Sequence, residues 1–185
     1  MQVIPRLAVE RMVPDDIATV QAIEREIFVS PWPKNAYASE LAQNRQACYV
    51  VLRNDEGEIV GYGGLWKVNL EAHITTIGVR LRDQGRGFGR CLLIALIQRA
   101  YVMGARWITL EVRNSNRQAI GLYEGFGFKA IGRRRGYYTD NGEDAIIMWS
   151  DSIHAPAFKR RFTAMLRSLA IAGIGEEPPA EYPRS

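Results

Sequence analysis

Two cysteines, Cys48 and Cys91, in 185 residues cannot make a disulfide scaffold, and a reducing cytosol is the expected compartment. Histidine is equally scarce. His73 and His154 stand far apart, no CxxC or HExxH pattern occurs, and no metal is expected. The opening "MQVIPRLAVERMVPDD" has no long apolar run and no small-residue cleavage site, so neither a signal peptide nor a membrane span is expected, and a cytoplasmic protein follows. There is no internal repeat. Neither sign of charge dominates: 24 Lys and Arg stand against 20 Asp and Glu, for a formal net charge of +4. That hints weakly at anionic partners and does not mark a nucleic-acid binder. With 47% hydrophobic residues the chain can form one globular domain with a real core, plus an extension.

Periodicity supplies the elements. "LAVERMV" reads as a short opening strand, and Pro14, Asp15 and Asp16 supply turn and helix-start chemistry. Ile17, Val20, Ile23 and Ile27 recur at helical spacing, and "SPWPKNAYASELA" breaks at its prolines and resumes as a second helix. "ACYVVLRNDEGEIVGYGGLWKV" is a hairpin around Asp55, Glu56 and Gly57, and "EAHITTIGV" is a further strand. A helix runs from about Gly87 to Met103 with Gly104 as C-cap, followed by the strand "RWITLEV". Ser115 or Asn116 caps a short helix, and two strands close the order. This is an α/β chain with a mixed sheet. The helical crossover between "HITTIGV" and "RWITLEV" makes those two strands parallel.

The stretch "LRDQGRGFGRCLLIALIQRA", residues 81–100, raises a chemical question. Gly85, Gly87 and Gly89 are poor helix formers, yet a strong helix follows. A loop opening a helix offers unpaired N–H groups and the positive end of the helix dipole, a site for phosphate. Arg82, Arg86 and Arg90 add charge. A tight strand-to-helix turn is the bland alternative. Neither a P-loop nor a dinucleotide fingerprint fits: there is no GxxxxGK, and Arg90 stands where the latter needs glycine.

The pattern that fits is Q/R-x-x-G-x-G/A, here Gln84, Gly85, Arg86, Gly87, Phe88 and Gly89. It resembles the acetyl-coenzyme A loop of the GNAT superfamily of N-acetyltransferases. The resemblance spans roughly residues 7–149. "LEVRNSNRQAIGLYEGFGF", with "SPWP" early and "RRRGYYTDNGEDAIIM" late, is similar to the RimI-type branch, the ribosomal-protein-alanine N-acetyltransferases. It implies a mostly antiparallel sheet flanked by helices, with a central parallel pair splayed for acetyl-CoA. It also implies transfer of acetyl to a protein N-terminus, that of the eighteenth protein of the small ribosomal subunit. The rival readings are another acceptor (broader protein N-termini, lysine or a small amine) and a non-catalytic coenzyme-binding module.

Acetyl transfer to an amine needs a proton removed, a carbonyl polarised and a thiolate protonated. The resemblance makes Glu111 the general base, acting through water, and Tyr123 the acid for the coenzyme sulfur, at an open cleft. The competing readings are an outward-facing strand glutamate and a core aromatic. Asn116 is implied as a coenzyme contact as well as a cap. Ile77, Gly78 and Val79 are implied to line the pantetheine arm, and residues 84–90, including Arg90, the pyrophosphate. Gly78 suits a bulge or a close backbone approach. Trp32, Tyr137 and Tyr138 are implied to flank the peptide groove, with a core-plugging Trp32 equally open. His73 stands near the same site, a bystander or an alternative base. Cys91 reads as packing. The run Arg133, Arg134 and Arg135 leaves three readings open: a solvated strand end, a coenzyme phosphate contact or an RNA-rich surface.

The transferase domain is assigned to residues 1–150 and an amphipathic helix with a disordered tail to 151–185. In that helix Phe158, Phe162, Met165, Leu166 and Leu169 share one face, and packing on the domain is the plain expectation. A dimer contact, ribosome docking and transient membrane contact are the sharper ones. The chain is expected to be a monomer that binds a protein N-terminus, with no direct nucleic-acid contact and no stable membrane association.

Overall fold

β-branched and aromatic runs separated by turn residues produce seven strands in one sheet. The structure is a computed structural model and describes residues 7–171. In chain order the elements are β1 (Ala8–Arg11), α1 (Ile17–Ile27), α2 (Ala36–Gln43), β2 (Ala47–Arg53), β3 (Ile59–Val68), β4 (Glu71–Val79), α3 (Phe88–Val102), β5 (Trp107–Arg113), α4 (Arg117–Gly125), β6 (Lys129–Tyr138), β7 (Glu143–Trp149) and α5 (Pro156–Ile171). The sheet order is β1-β2-β3-β4-β5-β7-β6. Every neighbouring pair is antiparallel except β4 and β5. The fold expected from the sequence is the fold observed.

Helices cover both faces, and each cover has its own apolar cluster. On one face α1 and α2 bury Val20, Ile23 and Tyr37 against Tyr49, Val51 and Tyr62 of β2 and β3. On the other, α3 buries residues around most of its circumference, from Phe88 and Leu92 to Ile97 and Ala100. A helix apolar all round must be enclosed. β3 and β4 cover one side of α3 and α5 another. Phe158 and Phe162 of α5 are buried in this second cluster with Ile153, and Met165 and Leu166 pack beside them. Each such aromatic burial contributes about 1.5–3 kcal/mol. The stripe on this helix therefore docks on the domain, as the plain expectation had it. The expected tail beyond Ile171 lies outside the described residues.

The positive-φ glycines fall where the chain must turn tightly. Gly57, at φ 78°, closes the β2–β3 hairpin with its N–H on Asn54 O, and Gly104, at φ 79°, follows the last turn of α3. β6 is an exposed edge strand, and Lys129 and the three arginines 133–135 blunt it against strand addition.

Candidate active site

β4 and β5 begin as an ordinary parallel pair. Four rungs join Glu71 to Trp107, Ala72 to Ile108, His73 to Thr109 and Ile74 to Leu110, and then the pairing stops although both strands continue. The cause lies one residue further on. Gly64 of β3 pairs with Thr76 and Leu65 with Ile74, which leaves Thr75 as the extra residue of a bulge. A bulge bends its strand and increases its twist. β5 meanwhile stays on β7 through Arg113 and Ala145. The two strands part as a V. Thr75 Oγ1, at the apex, is buried with no well-formed hydrogen bond among the described residues.

The bulge also reverses which side chains face α3. Before it, Ala72 and Ile74 lie in the α3 cluster; after it, Ile77 and Val79 pack there. Gly78 then faces α1. It is not the bulge, one of the two roles open to it in the sequence. Its role is close approach: a Cβ on Gly78 would stand 2.5 Å from Tyr62 Cε1 and 2.7 Å from Ile27 Cδ1. Ile77, Gly78 and Val79 thus form the β4 arm of the V.

At the open end of that arm Gln84 Nε2 donates to Val79 O at 3.1 Å. Gly85 and Gly87 adopt φ 75° and 85°, and Gly87 caps α3. The backbone N–H groups of residues 85–89 have no hydrogen-bond partner among the described residues. Free N–H groups at the positive end of a 15-residue helix fit a phosphate group. Gly89 has room on its α4 side, where an added Cβ would lie 3.8 Å from Leu122. The arginines here are less free than the sequence suggested. Buried Asp83 accepts from Arg80 Nε at 2.6 Å and Arg86 Nη1 at 3.0 Å, and Glu58 accepts from Arg80 and Arg82. They flank a polar cleft with Asn54 and Phe88. Arg82, Arg86 and Arg90 remain exposed.

The chemistry-bearing groups sit at the apex. Leu110 and Val112 of β5 belong to the α3 cluster, so Glu111 between them points to the opposite face. Its Oε2 lies 2.5 Å from His73 Nε2, and its Oε1 lies 3.3 Å from Arg134 Nη2 of β6. The His73 hydrogen bond holds the Glu111 carboxyl below the ordinary carboxylate range, against burial, which pushes it up; the charges of His73 and Arg134 add to the lowering. Tyr138 stacks under the Arg113 guanidinium at 3.9 Å, and burial pushes its phenol up to about 12 while Arg113 opposes. Tyr137 beside it lies under Arg134.

Tyr123 of α4 approaches from the α3 side. Asn116 caps that helix, its Oδ1 accepting from Ala119 N at 3.1 Å. An open cleft was expected for Tyr123; the residue as a whole is 8% exposed and packs near Phe128, and burial and then Tyr138 raise its phenol above the ordinary value, while its hydroxyl oxygen is not among the fully enclosed, unpaired groups. No hydrogen-bond partner to its hydroxyl is present among the described residues. Such a phenol stays protonated and keeps its proton to give. Glu111 and Tyr123 therefore flank the V from opposite faces of the sheet.

Trp32 is half-buried in the α1–α2 cluster, stacked on Tyr37 at 5.1 Å, so its ring plugs that core whatever its edge touches. Cys91 is buried, its thiol pushed up to about 12 by burial, as packing requires. Two residues and one contact of this region escaped the sequence reading. Glu24 is one, a fully buried carboxylate that accepts from Tyr37 Oη at 2.7 Å, Tyr62 Oη at 3.2 Å and Trp32 N at 3.2 Å. Its signal was there: 20, 23, 24 and 27 form one helix face, and a glutamate on an apolar stripe needs buried partners. Asp83 and the Arg134–Glu111 pair had no such local signal. Among the described residues no cluster of His, Cys, Asp and Glu is placed to hold a metal, and no helix is long and apolar enough to cross a membrane.

Residues 17–128 match the acetyltransferase (GNAT) family. The chain belongs to that family. This GNAT protein is 42% identical over 144 residues to the putative ribosomal protein bS18-alanine N-acetyltransferase of Bacillus subtilis, covering 78% of this chain and 95% of that one. The crystal structure of the ribosomal-protein-S18-alanine N-acetyltransferase from Escherichia coli matches with a TM-score of 0.72 at 33% identity, over 81% of this chain and 97% of that one. Spermidine N-acetyltransferase from Vibrio cholerae, solved with CoA and spermine, shares the fold at a TM-score of 0.68 and 22% identity, over 78% of this chain and 94% of that one.

Proposed function

We propose that the chain transfers acetyl from acetyl-CoA to the N-terminal α-amino group of a protein, and that its acceptor is the N-terminal alanine of a ribosomal protein, bS18. The V between β4 and β5 carries this reading. It ends in N–H groups with no hydrogen-bond partner among the described residues, holds His73 and Glu111 on one face and has Tyr123 on the other. A binding module needs neither a carboxylate–histidine pair nor a phenol facing it across the V. The acceptor is supported by the bS18-alanine enzymes this chain is similar to.

Residues 84–90 would hold the pyrophosphate, and Ile77, Gly78 and Val79 the arm leading to the thioester. When bound, acetyl-CoA supplies the acetyl group as a thioester. The chain's own part is proton handling and orientation. An α-amino group has an ordinary pKa near about 8 and must shed a proton before it is a nucleophile. The Glu111 face of the V is the proton-accepting side, and Tyr123 is the donor to the leaving sulfur. A backbone N–H on the β4 arm would stabilise the oxyanion. Tyr137, Tyr138 and the edge of Trp32 border the acceptor's approach on the Glu111 face. Residues 1–150 carry the chemistry, and the 151–185 extension serves through α5 as a cover for α3.

The test is incubation with acetyl-CoA and a peptide library varied at its first residues, read by tandem mass spectrometry. Acetyl on the α-amino group, strongest on the Ala-initiated bS18 sequence, is expected. Acetyl confined to lysine side chains, or none on any peptide, would overturn the proposal.

A further inference from the structure

We infer that His73 is the group that takes the proton from the incoming amine, with Glu111 as its buried carboxylate partner; this rests on the site being an acetyl-transfer centre. Glu111 has little left with which to act as the base itself. Its side chain is 10% exposed, its Oε2 is taken by His73 Nε2 and its Oε1 by Arg134 Nη2. The His73 side chain is 37% exposed and is the member of the pair an acceptor can reach.

The geometry fixes the division of labour. With Nε2–H donated to Glu111, the neutral ring carries its lone pair on Nδ1. A carboxylate behind an imidazole sets the tautomer and stabilises the imidazolium once formed, the arrangement of a catalytic triad without its nucleophile. His73 pairs with Thr109 one rung below the last joined rung, at the closed end of the V and on the same face as Glu111. The charged and titratable groups facing the pair are Arg134 and Tyr138 of β6. From β3 comes neutral Trp66, and behind it Glu40 of α2 accepts from Trp66 Nε1 at 2.7 Å. The other face carries Ile74, Leu110 and the α3 cluster, which includes titratable Tyr123. The balance closes simply. The amine's C–N bond forms as the C–S bond breaks, one ammonium proton passes to His73 Nδ1 and on to water, a second ends on the sulfur, and the third stays on the amide.

The experiment uses the full chain and the best peptide from the library. His73→Gln is expected to lower kcat/KM at pH 7 by about 10²–10⁴-fold, with acetyl-CoA affinity by calorimetry within about twofold of wild type. His73→Ala leaves a hole, and added imidazole is expected to restore part of its rate in proportion to the neutral form. Activity of His73→Gln within about threefold of wild type would overturn the inference. So would a loss in His73→Ala that imidazole does not restore in a variant melting like wild type, which would make His73 a positioning residue for Glu111. A third readout needs no acceptor and so stands if the peptide assignment fails. Long-range ¹H–¹⁵N NMR of the free chain is expected to find Nε2 protonated and Nδ1 bare in neutral His73; the reverse tautomer sinks the inference.

Discussion

Glu24→Gln probes a single carboxylate that joins three parts of the substrate side. Glu24 is 1% exposed, and its donors come from α2, β3 and the loop between α1 and α2. Tyr62, one of them, lies directly under Gly78 on the arm of the V. Glutamine keeps the shape and exchanges one acceptor oxygen for a donor. If the amide oxygen stays with the two phenols, its NH₂ meets Trp32 N–H, donor against donor. If the amide flips, the phenols lose their acceptor. Either way a buried donor goes unpaired, at about 1–3 kcal/mol, and the surviving bonds lose their charge assistance. A total of about 2–3 kcal/mol corresponds to a melting temperature lower by about 4–12 °C in a domain of this size. Loosening of the Trp32 loop should raise peptide KM more than acetyl-CoA KM. The comparator is Tyr37→Phe, which removes one donor and leaves the carboxylate two others, for about 0.5–1.5 kcal/mol. Thermal melting with two-substrate kinetics decides. A Glu24→Gln protein that melts like wild type with unchanged peptide KM, or a Tyr37→Phe loss larger than the Glu24→Gln loss, would refute the reasoning.

Gly87→Glu places an anion at the mouth of α3 and a side chain where φ is 85°, and coenzyme A affinity by calorimetry should vanish while far-UV circular dichroism stays native. Tyr123→Phe removes a hydroxyl with no hydrogen-bond partner among the described residues, so single-turnover rates should fall about 10–10³-fold with little change in melting temperature; full activity would leave water as the proton donor. The folded-state pKa of Glu111 is depressed, so the pair contributes stability above the unfolded carboxylate value of about 4.3 and loses it as pH falls through the folded value. Urea unfolding should therefore show Glu111→Gln less stable than wild type at pH 7, with the gap closing in acid. Near neutral pH the same variant should turn over slowly, and it should recover toward the wild-type rate as alkaline pH frees the amine.

Local chemistry was enough for the strands, the helices and the glycine loop. Alternation and helical spacing are properties of neighbouring residues, and the crossover rule alone makes β4 and β5 parallel. The glycines at 85 and 87 announced a phosphate-sized turn because few other residues tolerate those angles. Glu111 and Tyr123 were singled out in the sequence by their motif, but their surroundings were not. That Oε2 meets a ring 38 residues earlier and Oε1 an arginine 23 residues later depends on strand register, which no local pattern carries. The extra residue at Thr75 is a property of the β3–β4 pairing, so the point where the sheet opens is invisible until both strands are laid side by side. Asp83 illustrates the same limit: the sequence displays the arginines of the loop, and only folding shows which of them are already neutralised. The sequence by itself determined the elements, because periodicity and spacing set them, and its quoted motifs carried the resemblance to the family and the residue types at the candidate site. Tertiary structure alone decided which group can hold a proton, because burial, register and the partners of each charge are all long-range.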